Sequence, residues 1–252
     1  MASCGASKKI TECKSKPTKL KAIKTLPDLK PEDHNIFNIE VVYYILFEVE
    51  DTTKVDQQVI QSHKKLNELY GSAFNFMMHP IIAYTPIKTN IDDSINNKDL
   101  LHLKIESIRD FDDGVLSIYC VEDSMKGLLG FTVVFPNPTG KQYYTKLAPK
   151  YDYIIVSETG LENINTVPHE VGHVFGLVHP HDIKKKKTFE MFGLKTKRSR
   201  CVNIMSYSCC AGEIEGEEVT EEQIGIMWNY CGMNRHNLIK IDTNPNEPNL
   251  YP

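Results

Sequence analysis

The 252-residue sequence has only one tryptophan, no long hydrophobic run and no excess of positive charge. A membrane span needs roughly 20 consecutive apolar residues, and the most apolar run, residues 39–47, has only the length of a strand. The first 30 residues are rich in lysine and lack the apolar core of a signal peptide. The formal net charge is −4 and the pI is about 6.1, so no basic field points to a nucleic-acid partner.

Composition places the chain among ordinary globular proteins, with 41% hydrophobic and 25% charged residues. Residues 1–37 are polar, basic and interrupted by prolines, which is typical of a flexible tail or a short pro-segment. Residues 38–252 are long enough for one compact domain, divided into two lobes.

Cysteine usage leaves the cellular compartment open. None of the seven cysteines forms a CxxC pair, and without Cys4 an even number remains, which favours disulfides over a second zinc site. Residues 1–5 are similar to the end of a lipobox, with Cys4 as the lipid-modified residue, but the apolar segment that should precede it is missing. A trimmed lipoprotein and an arbitrary cytosolic N-terminus explain these residues equally well.

Hydrophobic periodicity predicts strands and helices that alternate at first, followed by an accumulation of strands. This pattern indicates an α+β domain, a mixed sheet with helices packed on it. The predicted strands are residues 39–47, 74–84 (interrupted at Pro80), 115–121, 128–135 and 153–157, and a helix is predicted over 54–70 with Val55, Val59, Leu66 and Tyr70 on its apolar face. A last helix is predicted after Thr220, which forms a capping-box pattern with Gln223 and is followed by an apolar face of Ile224, Met227 and Trp228.

The segment from His169 to His179 matches the pattern HExxHxxGxxH at every fixed position, through His169, Glu170, His173, Gly176 and His179. On a helix, residues four apart project from the same face one turn apart, so the first two histidines can share one metal ion. Gly176 can adopt the left-handed conformation that ends the helix and turns His179 back towards them.

The residues on either side of the pattern favour the same arrangement. Pro168 fits the first helical turn, where its missing N–H costs nothing. Three neutral imidazoles and one open coordination position are typical of a catalytic Zn²⁺ site. Glu170, which follows the first ligand, is the expected general base. The alternative is a purely structural role, a buried amphipathic helix in which the histidines bind nothing. The apolar residues of the segment also supply core contacts: Val167, Val171, Val174 and Leu177.

With this motif the chain resembles the metzincin metallopeptidases, whose second hallmark is a methionine-containing turn after the third histidine. Residues 203–207 (NIMSY) fit that turn, with Met205 as its methionine. The resemblance implies that Met205 packs beneath the zinc without binding it and that Tyr207 helps to stabilise the oxyanion. It also implies the zincin fold: a twisted, mostly parallel mixed sheet with the active-site helix in an upper lobe (about 38–179), and a small irregular lower lobe (about 180–252) ending in a helix.

Within the metzincins the pappalysin family, which includes ulilysin, is the most similar. The likeness covers roughly residues 39–232 and includes the run from Gly127 to Pro136, which resembles the family's strand above the cleft. The loop 182–200 is basic where pappalysins commonly carry acidic calcium-binding loops, so no calcium is expected. Cys13 in the tail is a weak candidate for capping the zinc.

The sequence therefore predicts a zinc-dependent endopeptidase that binds extended protein or peptide substrates beside the strand 129–135. We expect a monomer without a nucleic-acid partner, secreted or at the cell surface, with a membrane tether if Cys4 carries lipid. The alternatives are a zinc-binding adhesion or inhibitory module without catalysis, and a zinc hydrolase acting on something other than protein.

Overall fold

A computed structural model describes residues 4–5, 36–83, 105, 114–122, 128–133, 152–206 and 217–240. In these ranges the strands are β1 (Cys4–Gly5), β2 (Phe37–Ile45), β3 (Phe74–Met78), β4 (Ile82–Ala83), β5 (Val115–Val121), β6 (Leu128–Val133), β7 (Tyr153–Ser157) and β8 (Ile239–Lys240). The α-helices are α1 (Thr52–Tyr70), α2 (Glu158–Glu162), α3 (Thr166–Val174), α4 (Lys186–Met191), α5 (Lys197–Cys201) and α6 (Glu221–Asn234). None of the described helices is long and apolar enough to cross a membrane.

The strands form one mixed, mostly parallel sheet in the order β1-β6-β7-β5-β2-β3. β2 runs parallel to β3 and β5, and β5 runs parallel to β7. β6 is antiparallel to β7, and β1 pairs antiparallel with the other edge of β6. The predicted α+β fold class, with a mostly parallel mixed sheet and a motif helix packed on it, is confirmed.

Both faces of the sheet are buried. Consecutive residues of a strand point to opposite sides, so buried neighbours along one strand belong to different faces. In β2, for example, Val41 and Tyr43 belong to the cluster that also contains α1 and α3, whereas Val42 and Tyr44 belong to a second cluster on the opposite face. Burial on both faces explains why β2 and β5 have nearly continuous apolar sequences, the usual pattern of parallel strands.

Helix α1 covers the first of these faces. The side chain of Asp51 caps it by accepting a hydrogen bond from the backbone N–H of Lys54 at 3.2 Å. The predicted apolar face is confirmed, since its four residues are all buried: Val55, Val59, Leu66 and Tyr70. The predicted interruption at Pro80 is also confirmed, because it lies between β3 and β4.

The part of the chain after α3 contains short helices and the long helix α6. Thr220 and Gln223 form the predicted capping box at the start of α6. Trp228 of α6 stacks on Phe37 of β2 with ring centroids 4.8 Å apart, which docks the last helix against the sheet. A buried ion pair between Arg235 Nε and Asp152 Oδ2, 2.6 Å apart, ties the end of α6 to the residue before β7.

Two of the cysteines are not in disulfides. Cys120 of β5 and Cys231 of α6 are free, buried thiols. Burial raises the pKa of the Cys120 thiol to about 12. The even cysteine count favoured disulfides, and these two cysteines take no part in one but behave as small apolar core residues.

Candidate metal centre

Helix α3 carries the first part of the motif, including His169 and His173, and all nine of its residues are buried. It begins at Thr166, so Pro168 lies in the first turn as predicted. The hydroxyl of Tyr70 in α1 donates to the carbonyl of Pro168 at 2.9 Å, which satisfies a backbone group close to the first histidine.

Gly176 reverses the chain after α3. Its φ angle is +89°, in the region that side-chain-bearing residues rarely adopt. The backbone N–H of Leu177 then donates to the carbonyl of Gly172 at 2.8 Å and completes the reversal. The predicted role of Gly176 as the residue that ends the helix agrees with this geometry.

The reversal brings the imidazoles of the three motif histidines together. His179 Nε2 lies 3.1 Å from His169 Nε2 and 2.9 Å from His173 Nε2. These three residues form a group whose ligand atoms all lie within 4.8 Å of one another. These are the three residues that the sequence pattern proposes as metal ligands.

The opposite nitrogen of each ring is held by a hydrogen-bond acceptor. His169 Nδ1 lies 2.7 Å from the carbonyl oxygen of Ile204, and His173 Nδ1 lies 2.9 Å from that of Leu177. His179 Nδ1 lies 3.3 Å from Oδ2 of Asp182. Because carbonyls and carboxylates only accept, each Nδ1 carries the proton and each Nε2 presents its lone pair to the cluster.

The donor set suits a metal ion. Three converging lone pairs have no proton to share among themselves, and a cation between them satisfies all three. Burial lowers the pKa of His169 to about 4 and holds the pKa values of His173 and His179 well below the usual value, with the neighbouring histidines adding to the effect in the latter two. The rings are therefore neutral, which is the form that binds metals.

Met205 lies against the underside of α3. A Cβ atom at Gly172 would lie only 2.6 Å from its sulfur, so the absence of a side chain at Gly172 allows the turn to approach. Asn203 shapes the turn by accepting from the backbone N–H of Met205 at 3.1 Å, and it also donates to Gln223 Oε1 at 2.6 Å. The same turn supplies the Ile204 carbonyl that orients His169.

Glu170 of α3 is 2% exposed, and its side chain lies against β6. The Thr132 hydroxyl is 2.7 Å from its Oε2. Burial raises the pKa of the Glu170 carboxyl to about 7, although the hydrogen bond from Thr132 acts in the opposite direction. Its carboxylate is not part of the three-histidine group, which fits a neighbouring proton acceptor better than a ligand.

The remaining candidates are placed as follows. Tyr207 lies outside the described residues. His181 stacks on His179 with ring centroids 5.1 Å apart. His181 and Asp182 form a second metal-binding combination with His179, but these two side chains are 40% and 42% exposed and the combination shares a histidine with the first.

Two functional neighbours escaped sequence reasoning. Asp182 follows His179 by three residues in a loop that attracted attention only for its positive charge. Thr132 is 38 residues from Glu170 and nothing in its own segment marks it. The Thr132 contact has no sequence signal because it depends on the tertiary structure, whereas the carboxylate of Asp182, three residues after His179, was a local signal.

Comparisons with known proteins give only a distant likeness. No family model matches the sequence, and no curated protein matches it. Among solved structures, metalloproteinase-II from Bacteroides fragilis is 12% identical with a TM-score of 0.48, and the match covers 85% of this chain and 58% of that one. A chaperone–substrate complex is 17% identical with a TM-score of 0.36, covering 57% of this chain and 24% of that one. The chain thus spans less than two thirds of either protein, and the case for function rests on the site itself.

Proposed function

We propose that this protein is a zinc-dependent endopeptidase of the metzincin type, most similar to the pappalysins. The observation that carries the proposal is the convergence of three Nε2 atoms, each on a ring whose Nδ1 is anchored. A helix that only fills the core does not require three anchored imidazoles whose Nε2 atoms converge.

His169, His173 and His179 would hold the zinc and leave one coordination position open. When bound there, zinc would polarise the carbonyl of the scissile peptide and lower the pKa of a coordinated water. Zinc is the metal we expect because neutral imidazoles in a three-histidine set are a common catalytic zinc environment.

Glu170 is the proposed general base and then general acid. Its pKa of about 7 is close to neutrality, so the carboxylate can accept a proton from the attacking water and release it to the leaving amine. We further propose that Met205 supports the site from below and that Tyr207 donates to the developing oxyanion, as the resemblance to metzincins implies.

The proposed substrate is an extended peptide that pairs with β6. In this chain the outer edge of β6 already pairs antiparallel with β1, with Cys4 opposite Gly130 and Gly5 opposite Leu128. That edge is thus able to accept an antiparallel strand, which is how we expect a substrate to add itself to the sheet. A bound N-terminal segment would compete with substrate at this edge.

The proposed setting is extracytoplasmic, either secreted or tethered to a membrane by lipid on Cys4, and the protein is proposed to act as a monomer on protein or peptide substrates without a nucleic-acid partner. Support for an oxidising compartment comes from Cys201, which is disulfide-bonded. The free Cys120 and Cys231 are buried and are compatible with either compartment.

The direct test is cleavage of a broad peptide library by purified, zinc-loaded protein. Glu170→Ala should abolish turnover while zinc remains bound at the parent stoichiometry, because Glu170 contributes no ligand atom to the cluster. A metal chelator should also abolish cleavage, and added zinc should restore it. Loss of zinc from the Glu170→Ala protein would contradict the role assigned to Glu170.

Two further outcomes separate the alternatives. If the protein binds zinc but cleaves nothing, the assay is repeated without residues 1–35, which removes the strand paired with β6 and leaves β2 intact. Activity that appears only then indicates latency through the N-terminal segment. Continued inactivity would favour the alternative of a zinc-binding adhesion or inhibitory module.

A further inference from the structure

Strand β6 presents different side chains to the two sides of the sheet. Phe131 and Val133 belong to the apolar cluster away from α3. Gly130 and Thr132 face α3: a Cβ at Gly130 would lie 3.1 Å from Cγ of Glu170 and 3.1 Å from Cγ2 of Thr166. The Glu170 side chain therefore lies directly against β6, in space that a larger residue at position 130 would occupy.

Thr132 meets the Glu170 carboxylate at this contact. Its Oγ1 is 2.7 Å from Oε2 of Glu170 and 2.8 Å from the backbone oxygen of the same residue. Thr132 is 2% exposed, so water does not compete for the hydroxyl. Within the described residues, Thr132 thus holds Oε2 of this carboxylate by a hydrogen bond.

We propose that Thr132 is a positioning residue for Glu170: its hydroxyl fixes Oε2 and thereby turns Oε1 towards the position of the attacking water. The proposal rests on the endopeptidase function proposed above. A carboxylate on a flexible side chain has several rotamers, and proton transfer needs one of them held at hydrogen-bonding distance from the water. A fixed hydrogen bond from Thr132 of β6 supplies that constraint, and Thr132 is not one of the metal-binding group.

Two substitutions separate the hydroxyl from the volume of the side chain. Thr132→Val keeps the shape and removes the hydrogen bond, whereas Thr132→Ser keeps the hydroxyl and removes a methyl group. Thr166→Val is a matched control: Thr166 is a buried threonine beside the same Glu170 side chain, but its hydroxyl has no hydrogen-bond partner.

The first measurement is steady-state cleavage of a peptide identified with the parent protein, together with zinc content. We expect Thr132→Val to lower kcat by roughly 10- to 100-fold, because small misplacements of a reacting group have effects of this size, with KM within about twofold and zinc stoichiometry unchanged. Thr132→Ser should recover most of kcat, and Thr166→Val should keep the parent kcat. A kcat for Thr132→Val within about twofold of the parent, or no recovery with serine, would overturn the proposal.

The second measurement does not depend on activity. In chelator-treated protein, the Tm of Thr132→Val, Glu170→Ala and the double variant form a double-mutant cycle. Thr132→Val should lower the Tm of the parent by more than that of the Glu170→Ala protein, in which only the backbone oxygen of residue 170 remains as an acceptor for the hydroxyl. Equal shifts in the two backgrounds would show that the two side chains do not interact and would overturn the proposal.

The two measurements also distinguish the proposals from each other. An inactive parent protein, even without residues 1–35, overturns the endopeptidase function and with it the positioning role, although the cycle still reports the contact. An active parent with a fully active Thr132→Val variant overturns only the role of Thr132.

Discussion

Replacement of Gly176 by alanine should destabilise the fold because this residue has both an unusual backbone conformation and no room for a side chain. Its φ angle is +89°, and an added Cβ would lie 2.8 Å from Cγ and Cδ2 of the Tyr230 ring in α6. A separation of 2.8 Å is shorter than carbon–carbon contacts tolerate, so the ring or the backbone must shift.

The expected magnitude follows from these two contributions. A left-handed conformation costs a non-glycine residue about 1–2 kcal/mol, and forcing an extra group into a packed interior typically costs about 1–3 kcal/mol. Together they give a loss of about 2–5 kcal/mol in the free energy of unfolding, a large share of the stability of an ordinary domain.

The assay is urea unfolding of the parent and Gly176→Ala proteins in a chelator, so that metal binding does not contribute. Gly225→Ala is the matched control: Gly225 lies within α6, and no atom lies within 4 Å of its added Cβ. A helical glycine replaced by alanine where the added Cβ meets no other atom should gain up to about 1 kcal/mol. Because the reversal at Gly176 presents His179 to the other two histidines, Gly176→Ala should also weaken zinc binding. A Gly176→Ala protein that unfolds within about 1 kcal/mol of the parent would refute the reasoning.

Two further predictions concern buried titratable groups. His63, which lies 3.2 Å from Tyr43 Oη and 2.9 Å from the Phe76 carbonyl, has its pKa lowered by burial, so its contribution to stability is full above the unfolded value of about 6.5 and is lost as the pH falls below it. The parent should therefore lose up to about 1.4 kcal/mol per pH unit more than His63→Gln between pH 6.5 and 5.5 in urea titrations, and parallel pH profiles would contradict this. Asp152→Asn should cost about 3–5 kcal/mol by leaving the buried Arg235 charge uncompensated, measured by the same unfolding assay, and a loss below about 1 kcal/mol would show that the pair is already well solvated.

Local patterns in the sequence were sufficient for much of the framework. The predicted bounds of β5 and β7 agree with the structure, as does the apolar face of α1. Apolar runs and helical periodicity reflect burial directly, so these elements can be predicted without knowledge of the tertiary structure. The strand predicted over 39–47 is displaced by two residues, to Phe37–Ile45, because Leu46 and Phe47 are buried beyond the end of the strand's pairing.

The candidate site divides in the same way. The five fixed positions of the motif lie within eleven residues, so helical geometry and one glycine turn bring the histidines together. Thr132 and the carbonyl of Ile204 reach the site from other elements, and their contacts follow from the sheet order and from the turn beneath α3. No periodicity encodes such pairings, because they depend on contacts between residues far apart in the chain.

The hydrogen bonds that hold the three histidines differ in burial and length, so the three rings are not held equally firmly. His173 is anchored by the Leu177 carbonyl at the end of its own helix, and His169 by a buried turn that Asn203 ties to α6. His179 depends on a half-exposed carboxylate at 3.3 Å and on the single reversal at Gly176. A hydrogen bond that competes with water and spans a longer distance holds its partner less firmly. The first two ligands are therefore fixed by the core, whereas the third depends on the turn, which is why a single methyl group at Gly176 should affect stability and metal affinity together.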